Sequence, residues 1–167
     1  MKLKNTLLAL FFLLAASSSM KAQESKFIGG NSLSIIIPQG TLSDTYDHGL
    51  GFYGHLDYNI SKNFALRFDL GWNDIAGPES EYLNSDGNIV INHPERTIWE
   101  VTAGARVKVS ILYIEARGGY FSGENALGFV PAVGLRMGNF DLQGNYTSVG
   151  DTEYIGIRLG YYWAKGS

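Results

Sequence analysis

Histidine, cysteine and clustered carboxylates are where enzymatic or metal chemistry would first show. This chain of 167 residues offers three histidines, His48, His55 and His93, and no cysteine. A hydrolytic centre needs a nucleophile, a base within hydrogen-bond reach and an acid to orient that base. None of the histidines stands in a His-x-Ser spacing, and His48 and His93 fall between the strand-like runs. His55 lies two residues from Asp57 on the polar side of such a run, where a hydrogen-bonded structural histidine is expected. Asp44, Asp47 and His48 come nearest to a hard-cation site, since such ions favour clustered carboxylates. Their spacing matches no defined site, and a solvated loop is expected. Asp86-Gly87 lacks the remaining ligands of a calcium loop, and no glycine-rich loop ends in Lys-Ser or Lys-Thr to cradle a phosphate. The expectation is a chain without catalytic residues, cofactor or metal.

A second set of polar residues is more regular. Asp57, Arg67, Asp69, Glu100, Arg106, Lys108, Glu115, Arg117, Arg136, Asp141 and Arg158 each sit at alternate positions between apolar neighbours, six bases against five acids. Strict alternation of this kind is the strand signature, and no sustained 3.6-residue stripe competes with it. The run ending at Trp163 is the clearest: Ile155, Ile157, Leu159, Tyr161 and Trp163 alternate with Gly156, Arg158, Gly160 and Tyr162. Phe64 to Asn73, Trp99 to Lys108, Leu112 to Arg117 and Phe140 to Thr147 read the same way, as do runs around 50–59 and 127–136. The first run, 27–37, is the weakest because Ile36 breaks its pattern, and Pro131 calls for a local bulge, since proline cannot donate to a ladder. Eight strands are expected.

Composition agrees with one compact domain: 45% of residues are hydrophobic and 17% charged, with 21 glycines. Residues 1–22 read as a secretory signal peptide, with Lys2 and Lys4 before an apolar stretch from Leu7 to Ala16 and a small residue, Ala22, before the cut. The expected mature domain is 23–167, in which ten bases face sixteen acids, a balance that argues against nucleic acid as a partner.

Connections alternate between tight (61–63, 109–110, 138–139) and longer (38–49, 74–96, 122–126, 148–152). An up-and-down meander would place the short turns on one rim and the long loops on the other, as outer-membrane barrels do. In the second long loop Asn84-Ser85-Asp86-Gly87 precedes Ile89, Val90 and Ile91, a hairpin signal that offers a strand edge for capture of another chain. The long-loop rim would be strongly acidic, with Asp44, Asp47, Glu79, Glu81 and Asp86 in its loops and Asp74, Glu95, Glu124, Asp151 and Glu153 nearby, against Arg96 alone.

Orientation of the alternating faces decides between classes. Runs of about nine to eleven residues suit tilted transmembrane strands. Tyr58, Trp72, Trp99, Tyr146, Tyr161 and Trp163 fall near strand ends on the apolar side, where an aromatic girdle would sit. The eleven charged residues would then pair inside a bore just wide enough for side chains. Turned inside out, the same pattern would make a soluble periplasmic lipocalin-like carrier with Phe52, Phe68, Trp72, Trp99 and Phe129 around an apolar ligand. A small passive pore is the other alternative, and an enzyme acting on lipid A or an acyl chain the weakest.

The mature chain resembles the small eight-stranded outer-membrane β-barrel family of the OmpA/OmpX type. The resemblance is carried by the closing run 154–163, by Pro38-Gln39-Gly40 with Asp44, Tyr46 and Gly49-Leu50-Gly51, and by the hairpin 134–142. It implies an all-β, eight-stranded antiparallel up-and-down transmembrane barrel in the outer membrane of a Gram-negative envelope. Implied partners are outer-membrane lipid, lipopolysaccharide, the barrel-assembly machinery and a surface protein, around a monomer. The family's terminal aromatic is usually the last residue, whereas Ala164, Lys165, Gly166 and Ser167 follow Trp163 here.

Overall fold

The computed structural model describes residues 26–78, 80–83, 89–92 and 95–163, the two short segments through their backbone alone. The expected signal peptide, Glu79, Asp86, His93 and the tail after Trp163 lie outside the described residues. The elements are β1 (Phe27–Gln39), a short 3-10 helix (Gly40–Asp44), β2 (His48–Asn59), β3 (Phe64–Ala76), β4 (Ser80–Leu83), β5 (Ile89–Asn92), β6 (Glu95–Val109), β7 (Leu112–Phe121), β8 (Ala126–Met137), β9 (Phe140–Val149) and β10 (Thr152–Tyr162).

Eight of the strands close a barrel in the order β1-β10-β9-β8-β7-β6-β3-β2, while β4 and β5 form a separate two-stranded sheet. Every pairing is antiparallel, and the seam joins Gly30 to Tyr162 and Gln39 to Glu153. Two-residue turns suffice at 110–111, 138–139 and 150–151. Gly138 and Gly150 adopt positive φ there (63° and 56°), as hairpin turns matched to strand twist demand. The expected hairpin in the long loop is present, with Ser80 opposite Asn92 and Leu83 opposite Ile89.

Alternation resolves outward for the apolar face. Leu33, Leu70, Phe68, Val101, Ile114, Leu127, Phe129, Leu142 and Leu159 are exposed around the wall, Leu127 to 79%. Arg67, Arg106, Arg117 and Arg158 are among the largest fully buried side chains. The lipocalin-like arrangement is therefore ruled out: Phe68, Trp72, Trp99 and Phe129 face outward instead of enclosing a ligand. A wall of exposed hydrocarbon around a charged interior is the inverse of a water-soluble barrel and is what a bilayer requires.

Three expectations need correction. The barrel strands run 10 to 15 residues, so the connection expected over 122–126 shrinks to 122–125, and that over 148–152 to 150–151. Asp74, Glu95 and Glu153 are consequently strand residues. The ladder continues past the aromatic belt because strand ends above the lipid still bury inward side chains, Ile75 and Ile98 among them. Pro131 causes no bulge. Phe129 pairs with Ser148 and Ala132 with Asn145, one unchanged register on both sides, with pairing to β9 lapsing for the two positions between. Nor does Ile36 break β1. It points inward and is fully buried.

Candidate functional site: the bore and its two rims

Register brings the charged residues together. Asp57 lies opposite Arg67 across the β2–β3 turn, Arg67 opposite Gly104, and Gly104 opposite Arg117. Arg106 lies opposite Glu115 across the β6–β7 turn. Arg106 Nε donates to Glu115 Oε2 at 2.6 Å, and its Nη1 to Asp57 Oδ2 at 3.2 Å. Arg67 Nε donates to Asp69 Oδ1 at 2.7 Å, with Asp57 at 3.5 Å from its Nη1. Arg158 bridges Asp69 at 2.8 Å and Glu100 at 3.1 Å. Arg117 pairs with Asp69 and, through Nε at 2.7 Å, with Glu115. Three guanidinium groups thus converge on Asp69.

Not every expected residue joins in the same way. Asp141 lies 4.0 Å from Arg106 Nη2 and takes its short bond, 2.9 Å, from the Tyr113 hydroxyl. Arg136, opposite Asp141 in register, turns instead to Asp57 at 3.7 Å. Lys108 is half-buried at the short-turn mouth, where its ammonium donates to Asn59 Oδ1 at 2.8 Å and, among the described residues, meets no carboxylate. His55, expected to be hydrogen-bonded, is buried and, among the described residues, has no hydrogen-bond partner on either ring nitrogen. It sits edge-on to Tyr162 with centroids 4.6 Å apart.

Tyrosines complete the network, and sequence reasoning did not assign them to it. Tyr162 Oη accepts from Arg67 and Arg106, at 2.8 and 2.6 Å, and donates to Asp57 at 3.0 Å. Tyr154 donates to Glu100 at 3.0 Å, and Tyr53 donates to Asn73, which in turn donates to Glu100 at 3.1 Å. Guanidinium planes lie over three rings: Arg158 on Tyr53 at 3.3 Å, Arg136 on Tyr162 at 3.7 Å and Arg106 on Tyr113 at 3.9 Å. Such stacking suits a weakly hydrated planar cation. Gly71 and Gly134 make it fit, since a Cβ at either would run into the Tyr53 or Tyr113 ring. The available signal was position: Tyr53, Tyr113 and Tyr162 all stand on the polar side of the alternation.

Toward the long-loop rim the bore changes character. Ile36, Ile75, Ile98, Phe121, Val130, Val149 and Tyr154 form a buried apolar cluster, and the 3-10 helix drops Leu42 into it. The expected uniformly polar bore is therefore polar below and apolar above, with Tyr154 belonging to both layers.

Outside, Trp72 and Trp99 lie directly opposite each other, ring centroids 6.4 Å apart, on the long-loop side, as does Tyr146. On the short-turn side Tyr58 packs on Phe27 at 4.8 Å and Tyr161 on Phe140 at 5.5 Å. Trp163, just past β10, donates its backbone N–H to Gly29 at 3.0 Å. On the rim, Asp44 and Asp47 are exposed, and the side chain of Glu81 is outside the described residues. Glu124 is held by Arg96 and Thr152, and these bonds depress its pKa, the Thr152 hydroxyl contributing most. Among the described residues no three His, Asp or Glu side chains converge on a metal-binding arrangement, Asp44, Asp47 and His48 included.

No family model matches the sequence, and no curated protein matches it. Solved structures do. Ail, the attachment invasion locus protein of Yersinia pestis, is 14% identical over 81% of this chain and 97% of its own, with a TM-score of 0.52. The same values hold for Ail in complex with the heparin analogue sucrose octasulfate. Neisserial surface protein A is 14% identical over 83% of this chain and 96% of its own, with a TM-score of 0.49. The fold is that of a small outer-membrane β-barrel.

Proposed function

We propose that this chain is a non-enzymatic, monomeric outer-membrane barrel with a closed bore, serving envelope integrity or surface interaction through its acidic outer rim. The observation that carries this reading is the two-layer filling of the bore. An ion-paired lower layer engages all five buried carboxylates, and an apolar layer lies above it. Such an interior spends its polar groups on one another, which suits a rigid scaffold for loops better than a transport path or a reaction centre. Its lipid neighbours are outer-membrane phospholipid and lipopolysaccharide, and Trp163 at the end of the closing strand is the element offered to the assembly machinery.

The rim sets the partner's charge. Ail takes a polysulfated ligand, as its complex with sucrose octasulfate records. Here Asp44, Asp47, Asp74, Glu95, Asp151 and Glu153 line the long-loop end, while Arg96 is engaged by Glu124. A basic partner is the complementary one. The β4–β5 sheet adds an open strand edge for main-chain pairing.

Fractionation of the full-length protein should give an outer-membrane band that shifts between unboiled and boiled samples. A soluble periplasmic band without a shift would overturn the reading. Deletion of 79–93 should leave that shift intact and abolish binding of cationic surface ligands, and unchanged binding would remove the hairpin from the mechanism.

A further inference from the structure

Charge is segregated between the two ends of the wall. Among the described residues every exposed carboxylate belongs to the long-loop rim, whereas Asp57 and Asp141, the two nearest the short turns, are buried. The exposed cations near the short turns, Lys26 and Lys62, bracket one hairpin. Lys62 sits in the 60–63 turn, and the Lys26 carbonyl accepts the Asn59 N–H at 2.7 Å beside it. Half-buried Lys108 and Arg136 add positive potential at the adjacent mouth. The same turn exposes Ile60 to 54%, so cationic and apolar groups share one edge.

Above this hairpin, on the lipid-facing side of β2, β3 and β6, the wall is hollowed into an open apolar groove of about 820 Å³. Its sides are Leu56, Phe68, Leu70 and Val101, and at Gly54 the floor is bare backbone. A cationic edge below a hydrocarbon-walled groove is the shape of one amphiphile with a phosphate head and acyl chains.

We propose that Lys26, Lys62 and the Gly54 groove form a binding site for an anionic phospholipid of the leaflet at the short-turn rim. The headgroup phosphate lies between the two ammonium groups, and an acyl chain runs up the groove from the 60–63 turn. The inference depends on the membrane-spanning reading of the barrel but not on any role of the outer loops.

Native mass spectrometry of the detergent-purified mature barrel reads the site directly, with phosphatidylglycerol and phosphatidylcholine of identical chains as probes. One phosphatidylglycerol should be retained in clear preference to phosphatidylcholine. Lys26→Gln with Lys62→Gln should cut phosphatidylglycerol retention by about 25-fold, roughly fivefold for each lysine, and leave phosphatidylcholine unchanged. Gly54→Leu fills the groove without strain, because nothing lies within 4 Å of a Cβ there, and it should weaken both lipids. Glycerophosphoglycerol, the headgroup without chains, should not compete. Equal retention of the two lipids, an unchanged double variant, or an unchanged Gly54→Leu variant would each overturn the site. The heat-shift gel on the same samples reports separately whether the barrel itself has formed.

Discussion

Asp69 accepts from Arg67 and Arg158 and pairs with Arg117, so its carboxylate, like that of Glu115, balances three buried guanidinium groups. Removing one partner of a buried ion pair leaves uncompensated charge, at a cost of about 3–5 kcal/mol. Asp69→Ala should lose that much in urea titrations of the refolded barrel. Asp141→Ala should lose only about 1–2 kcal/mol, because its short contact is a neutral tyrosine hydroxyl. Equal losses would mean that convergence of guanidinium groups is not what sets the cost. Glu124, on the outer rim, gives a pH test. Its pKa is depressed in the folded state, so its contribution is complete above the ordinary carboxylate range and is lost as pH falls through the lowered value. Hydrogen exchange in the 122–125 turn should therefore quicken on acidification below that range, and Glu124→Gln should remove the dependence. The charged set of the bore was legible from the alternation, although the turn expected at 109–110 lies at 110–111, the shift that puts Arg106 opposite Glu115. The contacts of Tyr162 were not, because a β10 hydroxyl meets Arg67 of β3 and Arg106 of β6 only across a closed bore.

The 3-10 helix between β1 and β2 is the element whose role the sequence concealed most. Leu42 is 5% exposed and joins the buried cluster that includes Ile36, Ile75 and Ile98, each on a different strand. Leu42→Ala should cost about 2–3 kcal/mol, in the lower part of the range for a buried leucine. The loss should appear first as faster proteolysis of residues 40–47, with the transmembrane ladder still protected. An equal loss of protection throughout the barrel would show that the apolar layer is part of its cooperative core. Ile35-Ile36-Ile37 reads as a broken alternation because all three are apolar. In the barrel the alternation is intact, and only the inward environment changes from polar to apolar near the rim. Ile75, Ile98, Phe121 and Val149 escape notice for a related reason: they occupy strand ends that turn-forming neighbours disguise as loop. Pro131 is the converse case. The wall absorbs its missing donor by dropping two positions of one ladder and keeping register.

For the whole molecule, an ion-paired layer beneath an apolar one should make the bore a poor conductor. Planar-bilayer recordings should show no stable channel, and a steady conductance that shifts on Glu100→Ala would prove a continuous water path through the pairs. Strand number and direction were legible because period-two patterning and turn spacing encode them locally, and the outward greasy face was legible only through strand length, the aromatic belt and the balanced charges, since the alternation alone fits either orientation. Closure was expected from the resemblance to eight-stranded barrels, no local signal stating that β1 meets β10, and the structure closes the sheet there. That seam, Gly30 with Tyr162 through Gln39 with Glu153, also fixes an order of events in time. The first strand made waits for the last. Until the eleven residues of β10 arrive, β1 and β9 each present a line of unpaired amides that hydrocarbon will not accept. Translocation must therefore deliver nearly the entire polypeptide, kept unaggregated, before any of it can cross, and a chain that stops short of Thr152 has no stable halfway house in the membrane.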